Sequence, residues 1–270
     1  MEYEPLDNGV YDMEDVEYFG RKALSNSYLW RLVNQTPAHA QVPFSAPALE
    51  IGSATHLAVL EPERASKLII QGPKDRRGKK WTEAKDGLTE GQILLTEKDY
   101  NDVARMRDTI WSNTFFASIL TSPDAKYERA AFFKHRGEDC KAKIDCDQPD
   151  VIIDLKTSAD ASPRGFAQSV SKFGYHQQAA SYRHGWNQAS GAGIKTFLFL
   201  VIEKTPPFAA AVYELDAATM AEGWASYNAA IDLELQCREG KHYHAYPEER
   251  MLLSMPPYSF RHTNQREIEL

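Results

Sequence analysis

The hydrophobic period of the chain changes near residue 127, and this change most constrains the fold. Helical spacing dominates the first part, at 23–33, 46–60 and 96–120. The later part combines helical spacing with segments that alternate or are continuously apolar, as strands do. These predicted strands are 127–135, 138–146, 150–156, 196–204 and 208–215, and the helices among them are 162–188 and 216–239. The pattern predicts a mixed α/β fold, a central mixed sheet flanked by helices.

Composition narrows the class of protein. Of 270 residues, 43% are hydrophobic and 26% charged, as in ordinary globular proteins. The longest apolar run, at 197–202, is too short for a membrane span, and the start lacks a signal-peptide pattern, so a cytoplasmic location with no membrane contact is expected. Because acidic residues are concentrated at the beginning of the sequence, we divide the chain into an acidic N-terminal leader, 1–20, and one domain, 21–270.

The strand "VIIDLK" places opposite charges on one surface. Since side chains alternate along a strand, Val151, Ile153 and Leu155 point one way, whereas Asp154 and Lys156 point the other. An isolated D-x-K of this kind is most often a weak surface ion pair. The neighbouring segments decide whether it is more than that.

A second carboxylate belongs to the preceding strand. Its polar face carries Asp145, and the turn-like residues 146–149 predict a hairpin that makes Asp145 and Asp154 neighbours. Asp150 is a rival, but four strand residues place it about 13 Å from Asp154, too far for a shared ion. Two carboxylates suit Mg²⁺ or Mn²⁺. Lys156 would then orient water and offset charge on a phosphate.

A glycine-punctuated basic loop, "GPKDRRGKKW" at 72–81, is a local candidate for binding phosphate. It matters because the net charge is −7, the wrong sign for a protein that coats nucleic acid by bulk attraction. A solvated surface loop is an equally good interpretation of this segment alone. Its candidate DNA-binding residues are Arg76, Arg77, Lys79 and Lys80.

Five stretches in order along the chain resemble the PD-(D/E)XK nucleases, specifically the RecE-type exonucleases (exonuclease VIII), which are distantly related to lambda exonuclease. The resemblance covers most of the chain and is much more specific than D-x-K alone. The stretches are "ALSNSYLWRLVNQTPAH", "LEIGSATHLAVLEPE" with G-x-x-x-H, "KAKIDC", "IIDLKTSAD" with D-x-K, and "YHQQAASYRHG" with Q-x-x-x-Y.

The resemblance assigns roles residue by residue. It makes His56, Asp145 and Asp154 metal ligands and Lys156 the catalytic lysine. Gln178 and Tyr182, four apart on one helix, fit the Q-x-x-x-Y motif and would frame the site. Glu128, in the strand before Asp145, is a further candidate contact to metal or water.

The function that the resemblance implies is metal-dependent 5′ to 3′ exonuclease action on one strand of linear double-stranded DNA, leaving 3′ overhangs. It also implies two Mg²⁺ ions in each active site, for which Mn²⁺ can substitute. The implied assembly is a homo-oligomeric ring of three or four subunits, and the implied partner is a single-strand annealing recombinase. A basic inner lining of that ring would reconcile DNA binding with the acidic total charge. Two alternatives stay open: a nuclease of the same superfamily that acts on single-stranded DNA, and a non-catalytic DNA-end binding protein.

Overall fold

The computed structural model describes residues 6–42 and 47–256. None of the helices in these two ranges is long and apolar enough to cross a membrane. The strands are β1 (Gly9–Tyr11), β2 (Leu24–Ser25), β3 (Ile69–Gln71), β4 (Ile93–Leu95), β5 (Lys126–His135), β6 (Glu138–Asp147), β7 (Val151–Ser158), β8 (Thr196–Glu203) and β9 (Ala210–Glu214). The helices are α1 (Asp15–Gly20), α2 (Asn26–Asn34), α3 (Pro37–Ala40), α4 (Pro47–Leu60), α5 (Pro62–Leu68), α6 (Lys79–Asp86), α7 (Glu97–Ser112), α8 (Thr114–Leu120), α9 (Pro163–Phe173), α10 (Tyr175–Ser190) and α11 (Ala217–Glu239).

One seven-stranded sheet organises the molecule, in the order β1-β5-β6-β7-β8-β9, with β2 beside part of β6. The long hairpin β5–β6 is antiparallel, and β6 and β7 pair antiparallel over two residues only. Strands β7 and β8 are parallel, with α9 and α10 forming the crossover between them. Strands β3 and β4 form a separate two-stranded sheet. The mixed sheet flanked by helices confirms the predicted fold class.

Side chains of neighbouring β7 residues pack in different hydrophobic cores, as the alternation of side chains along a strand predicts. Ile152 belongs to the core that the sheet shares with α2, α9, α10 and α11. Ile153 and Leu155 belong to the core on the other face, with α4, α7 and α8. Because β7 is covered on both faces, Asp154 and Lys156 lie inside the molecule and not on an exposed edge.

Part of the predicted acidic leader packs on the sheet. Strand β1 pairs with β5, and Tyr18 of α1 is buried. Lys141 donates hydrogen bonds to the carbonyl oxygens of Tyr18 and Arg21, at 2.8 and 2.7 Å. Asp15 forms an ion pair with Lys143 of β6. The described residues from 9 to 20 therefore share the packing of the domain that follows them.

The predicted helix at 162–188 is two helices, separated by Gly174. This residue has a φ of 70°, in the left-handed region, and ends α9 directly before α10 begins. A Cβ atom at this position would lie 2.3 Å from the Trp30 ring. Glycine is therefore required both for the backbone conformation and for the close approach of α2.

Candidate active site

Strand β6 changes neighbours on the side that faces away from β5. Near its start it pairs with β2, at Cys140 and Lys141, and near its end it pairs with β7, at Cys146 and Asp147. Within the described part of the chain, residues 142–145 have no strand partner on this side. The sheet is therefore split beside Asp145, and side chains can occupy the place of a hydrogen-bonded ladder.

Asp145 lies at this split. The β6–β7 register would place it opposite Asp154, but the ladder ends one residue earlier, at Cys146 and Ile153. The Leu155 backbone N–H donates instead to Asp145 Oδ2, at 2.7 Å. The same oxygen lies 3.4 Å from Nδ1 of His56 on α4. The Asp145 carboxylate thus joins β7 to the helix that carries the predicted histidine.

Glu128 approaches Asp145 from β5 through an unusual backbone conformation. Its φ is 55°, and the β5–β6 pairing includes the residues on each side of it but not Glu128 itself. A non-glycine residue with positive φ is uncommon, and such conformations concentrate at functional sites. The Glu128 carboxylate forms an ion pair with Lys143 at 2.8 Å. The local distortion therefore directs a second carboxylate into the split.

Asp154 and Lys156 form a buried ion pair on the α10 side of β7. Asp154 is only 2% exposed, and its Oδ1 accepts a hydrogen bond of 2.7 Å from Gln178. Its Oδ2 contacts the Lys156 ammonium in the ion pair, and this contact occupies one of the acceptor positions of that oxygen. A buried carboxylate oxygen with unused acceptor capacity suits a further cation.

The Q-x-x-x-Y residues are on α10. Gln178 contacts Asp154, whereas Tyr182 packs against the core. Burial raises the pKa of Tyr182 well above its ordinary value, so the phenol stays protonated. Gln178 is thus in direct contact with one predicted ligand, Asp154, and Tyr182 lies one turn further along α10.

Burial disfavours the charged form of each group in the site; neighbouring charges outweigh burial at His56 and Asp145, whereas burial prevails at Glu128 and Asp154. Against burial, the carboxylates of Asp145 and Glu128 raise the pKa of His56 to about 9. Burial and the Asp145 carboxylate raise the pKa of Glu128, whereas the imidazolium of His56, opposing burial, lowers the pKa of Asp145. Burial raises the pKa of Asp154 to about 6, against the effect of Lys156. The strong protonation of His56 marks a position where positive charge is stabilised.

A divalent cation fits the residues that meet here. His56, Glu128 and Asp145 each offer one ligand atom, and these atoms lie within 4.8 Å of one another. Among the described residues this is the one such group of three or more metal-binding side chains. It contains two of the three predicted metal ligands and Glu128, and Asp154 borders it. The carboxylate oxygens are the donors that Mg²⁺ and Mn²⁺ prefer, and the set adds one imidazole nitrogen to them.

Sequence reasoning did not single out Tyr175. Its ring centroid lies 4.8 Å from the Lys156 ammonium, a cation–π distance, so the ring is a second contact of the lysine besides Asp154. The sequence signal is weak, because Tyr175 precedes the Q-x-x-x-Y motif by three residues and belongs to an apparently continuous helical pattern.

The basic loop divides into one anchored residue and exposed ones. Arg76 pairs with Glu50 at 2.7 Å and Asp99 at 3.3 Å, and its guanidinium lies over the Trp81 ring. Arg77 and Lys79 are 91% and 88% exposed, with only solvent-exposed acidic neighbours. Lys80 is also exposed. Arg76 therefore fixes the loop to α4 and α7, and the remaining cations face solvent.

A known protein family matches most of the chain. A family described as a PDDEXK-like domain of unknown function (DUF3799) matches residues 32–251. The chain belongs to this PDDEXK-like family, and the match includes the helix and all three strands that form the site. The superfamily-level resemblance inferred from the motifs is thereby confirmed. No curated protein matches the sequence.

A solved structure shares the fold. It is a crystal structure of a protein from Eubacterium rectale described as a putative exonuclease, with a TM-score of 0.65 and 15% sequence identity, covering 91% of this chain and 96% of that chain. At this identity the likeness concerns the fold alone. The structure of the protein SSO0001, at 15% identity, covers 52% of this chain and 68% of that one with a TM-score of 0.30, too low to support an argument.

Proposed function

We propose that this chain is a metal-dependent exodeoxyribonuclease that degrades one strand of linear double-stranded DNA from 5′ to 3′ and leaves 3′ overhangs. The observation that carries the proposal is the meeting of His56, Glu128 and Asp145 at the split between β6 and β7, beside the Asp154–Lys156 pair. This set combines cation ligands with a fixed ammonium, and both can stabilise the charge that develops on a phosphate during hydrolysis.

His56, Glu128, Asp145 and Asp154 would hold the cation, with Mg²⁺ the expected ion, Mn²⁺ a substitute, and a second ion expected. The cation would supply Lewis-acid polarisation of the phosphate and neutralise its charge. The protein supplies position. A hydrogen bond from the Leu155 backbone N–H holds the Asp145 carboxylate, and a hydrogen bond from the Gln178 side chain holds the Asp154 carboxylate. Neither carboxylate therefore reorganises when the substrate binds.

Lys156 acts on the charge that develops during hydrolysis. Its pKa is raised, against burial, by the carboxylates of Asp154 and Asp145, so the side chain remains an ammonium at neutral pH. Asp154 and the ring of Tyr175 hold it from two sides. In this position the ammonium orients the attacking water and stabilises the negative charge on the phosphate oxygens. Tyr182, one turn further along α10 than Gln178, would frame the site.

Substrate and polarity are proposed from the RecE-type resemblance. The same resemblance supports a homo-oligomeric ring, with the exposed cations Arg77, Lys79 and Lys80 facing DNA and Arg76 anchoring their loop. In this proposal the 3′ overhang is the substrate of a single-strand annealing protein. Such a protein recombines DNA by pairing the exposed strands.

The test uses linear duplex DNA that carries a label at one 5′ end or one 3′ end. Wild type and Asp154→Asn are compared with Mg²⁺ and with EDTA, and release of each label is followed over time. We expect the 5′ label to leave first as a mononucleotide, only with Mg²⁺ and only for wild type. The asparagine variant keeps the shape and the Gln178 contact but removes the charge.

Three outcomes contradict parts of the proposal. Early loss of the 3′ label would mean that degradation runs from 3′ to 5′, opposite to the proposed polarity. Digestion of single-stranded DNA in preference to duplex makes the chain a single-strand nuclease of the same fold. Binding of ends without release of nucleotide in Mg²⁺ makes it a DNA-end binding protein, and the carboxylates then lack a catalytic role.

A further inference from the structure

Two aromatic rings connect the candidate catalytic lysine to the protein surface. Tyr175 contacts Lys156, and the Phe173 ring lies 5.7 Å from the Tyr175 ring, between centroids. Tyr175 also packs on Phe166 and Phe199 of the core. Phe173, in contrast, is 49% exposed. The outer ring therefore presents an apolar surface to solvent one ring away from the lysine.

The backbone between the two rings is tightly constrained. Phe173 is the last residue of α9 and Tyr175 the first of α10, and Gly174 between them has the left-handed conformation. The Trp30 ring backs this glycine so closely that no Cβ would fit. The Trp30 ring also contacts the His176 ring edge-on, at 5.6 Å. The turn is thus held from behind, which fixes the position of the exposed ring.

A lysine ammonium lies beside each of the two rings. The Lys172 ammonium lies 5.3 Å from the Phe173 ring centroid, and the Lys156 ammonium lies 4.8 Å from that of Tyr175. The order in space is therefore cation, ring, ring, cation. Aromatic faces beside lysines are the surfaces on which single-stranded nucleic acids stack their bases while ammonium groups meet their phosphates.

We propose that Phe173, flanked by Lys172, is a stacking platform for an unpaired base of the DNA strand that occupies the site. The proposal rests on the proposed function, which brings a phosphate to Lys156. The platform takes the base of a nucleotide next to that phosphate, and Lys172 meets a neighbouring phosphate. Because every base has an aromatic face, the platform is tolerant of sequence. It holds the end of the strand out of the duplex.

The test measures stacking without cleavage. Duplexes with a short unpaired 5′ end carry 2-aminopurine, whose fluorescence is quenched on stacking, at successive positions from that end. They are titrated in EDTA with wild type, Phe173→Ala, Phe173→Tyr and Phe115→Ala. Phe115 is the matched control because it is an exposed ring, 59% exposed, that contacts Phe116 on α8. Sedimentation velocity records the oligomeric state of each variant.

We expect wild type to quench 2-aminopurine in the unpaired end and not in the duplex interior. Phe173→Ala should lose this quenching and bind the DNA about tenfold more weakly, within the range for loss of one base–aromatic stack. Phe173→Tyr and Phe115→Ala should behave as wild type.

Equal quenching and affinity for Phe173→Ala and wild type would overturn the platform. A change of oligomeric state in Phe173→Ala, with unchanged quenching, would also overturn it and make the ring a subunit contact. The proposed nuclease function fails separately: if wild type releases no nucleotide with Mg²⁺ but shows Phe173-dependent quenching, the platform stands without hydrolysis.

Discussion

The split in the sheet and the basic loop are both predicted to act on DNA, yet their physical environments are opposite. At the split, the side chains of Asp154 and Lys156 are 2% and 14% exposed and contact each other. In the loop, Arg77 and Lys79 are 91% and 88% exposed. Charge in the first region is desolvated and fixed, and charge in the second is hydrated and free to move.

This difference separates catalysis from binding. A buried ammonium acts strongly on a phosphate because little water screens it, and its geometry is set before the substrate arrives. Exposed cations gain affinity by releasing counterions from DNA and need no fixed geometry. We therefore expect substitutions at the split to change the rate of cleavage, and substitutions in the loop to change affinity and its salt dependence.

The largest effect is expected for Lys156→Met. It should reduce nucleotide release about 10²- to 10³-fold, the usual cost of removing one fixed charge-stabilising group, with little change in affinity for DNA. Rates are measured at saturating DNA, affinity by fluorescence anisotropy in EDTA, and folding by thermal unfolding. The matched control is Lys79→Met, which should keep the rate. Equal loss of rate in both variants would erase the distinction between the two regions.

The next largest effect concerns pH. His56 must lose its proton to bind a metal, and its pKa is raised to about 9, so protons compete with the ion at neutral pH. Affinity for Mn²⁺, measured by calorimetry, should therefore rise with pH, by about tenfold per unit between pH 6.5 and 8.5.

DNA binding by the loop in EDTA should stay constant over the same range, because it requires neither the metal nor the deprotonation of His56. His56→Gln should flatten the pH dependence of Mn²⁺ binding. A flat profile for wild type would exclude His56 as a ligand that must deprotonate.

A smaller effect is expected in the loop. Arg77→Ala combined with Lys79→Ala should weaken DNA binding several-fold and reduce the slope of log affinity against log salt by up to about 2, since each phosphate contact contributes about 0.9. The control is Lys134→Ala combined with Lys195→Ala, which removes the same charge elsewhere on the surface. An equal change of slope in the control would mean that total charge, and not the loop, governs binding.

The smallest effect is expected for Arg76→Met. Arg76 is 30% exposed and pairs with Glu50 and Asp99, so its loss should lower the free energy of unfolding by about 0.5–1 kcal/mol, measured in urea. The loop should also become more sensitive to proteases. If Arg76→Met instead weakens DNA binding more than Arg77→Ala does, Arg76 contacts DNA directly. Its ion pairs with Glu50 and Asp99 would then break when DNA binds.

Local patterns predicted the centre of the site. Alternation along β7 separates Asp154 and Lys156 from Ile153 and Leu155, and this depends only on the two-residue period of a strand. The short turn after β6 predicts a hairpin, and the hairpin makes Asp145 a neighbour of Asp154. This prediction also depends only on residues that are close in sequence. The contact between Gln178 and Asp154 also agrees with the position that the Q-x-x-x-Y motif assigned to the helix.

Features that depend on tertiary structure were not predictable in this way. The positive φ of Glu128 has no signature in "YERAA", so its carboxylate could be named only as a candidate. The apolar period continues through Gly174, which hides the turn that positions Tyr175. The pairing of β1 with β5 is non-local, and the acidic composition of the first residues gives no sign of it.

The most direct test of the account is release of acid-soluble nucleotide from linear duplex DNA by wild type and by Asp145→Asn, with Mg²⁺ and with EDTA. The asparagine keeps an oxygen for the Leu155 N–H but removes the charge beside His56. We predict release by wild type with Mg²⁺ only, and none by the variant, while both bind DNA equally in EDTA. Release by the variant at the wild-type rate, or no release by wild type with either Mg²⁺ or Mn²⁺, would contradict the account.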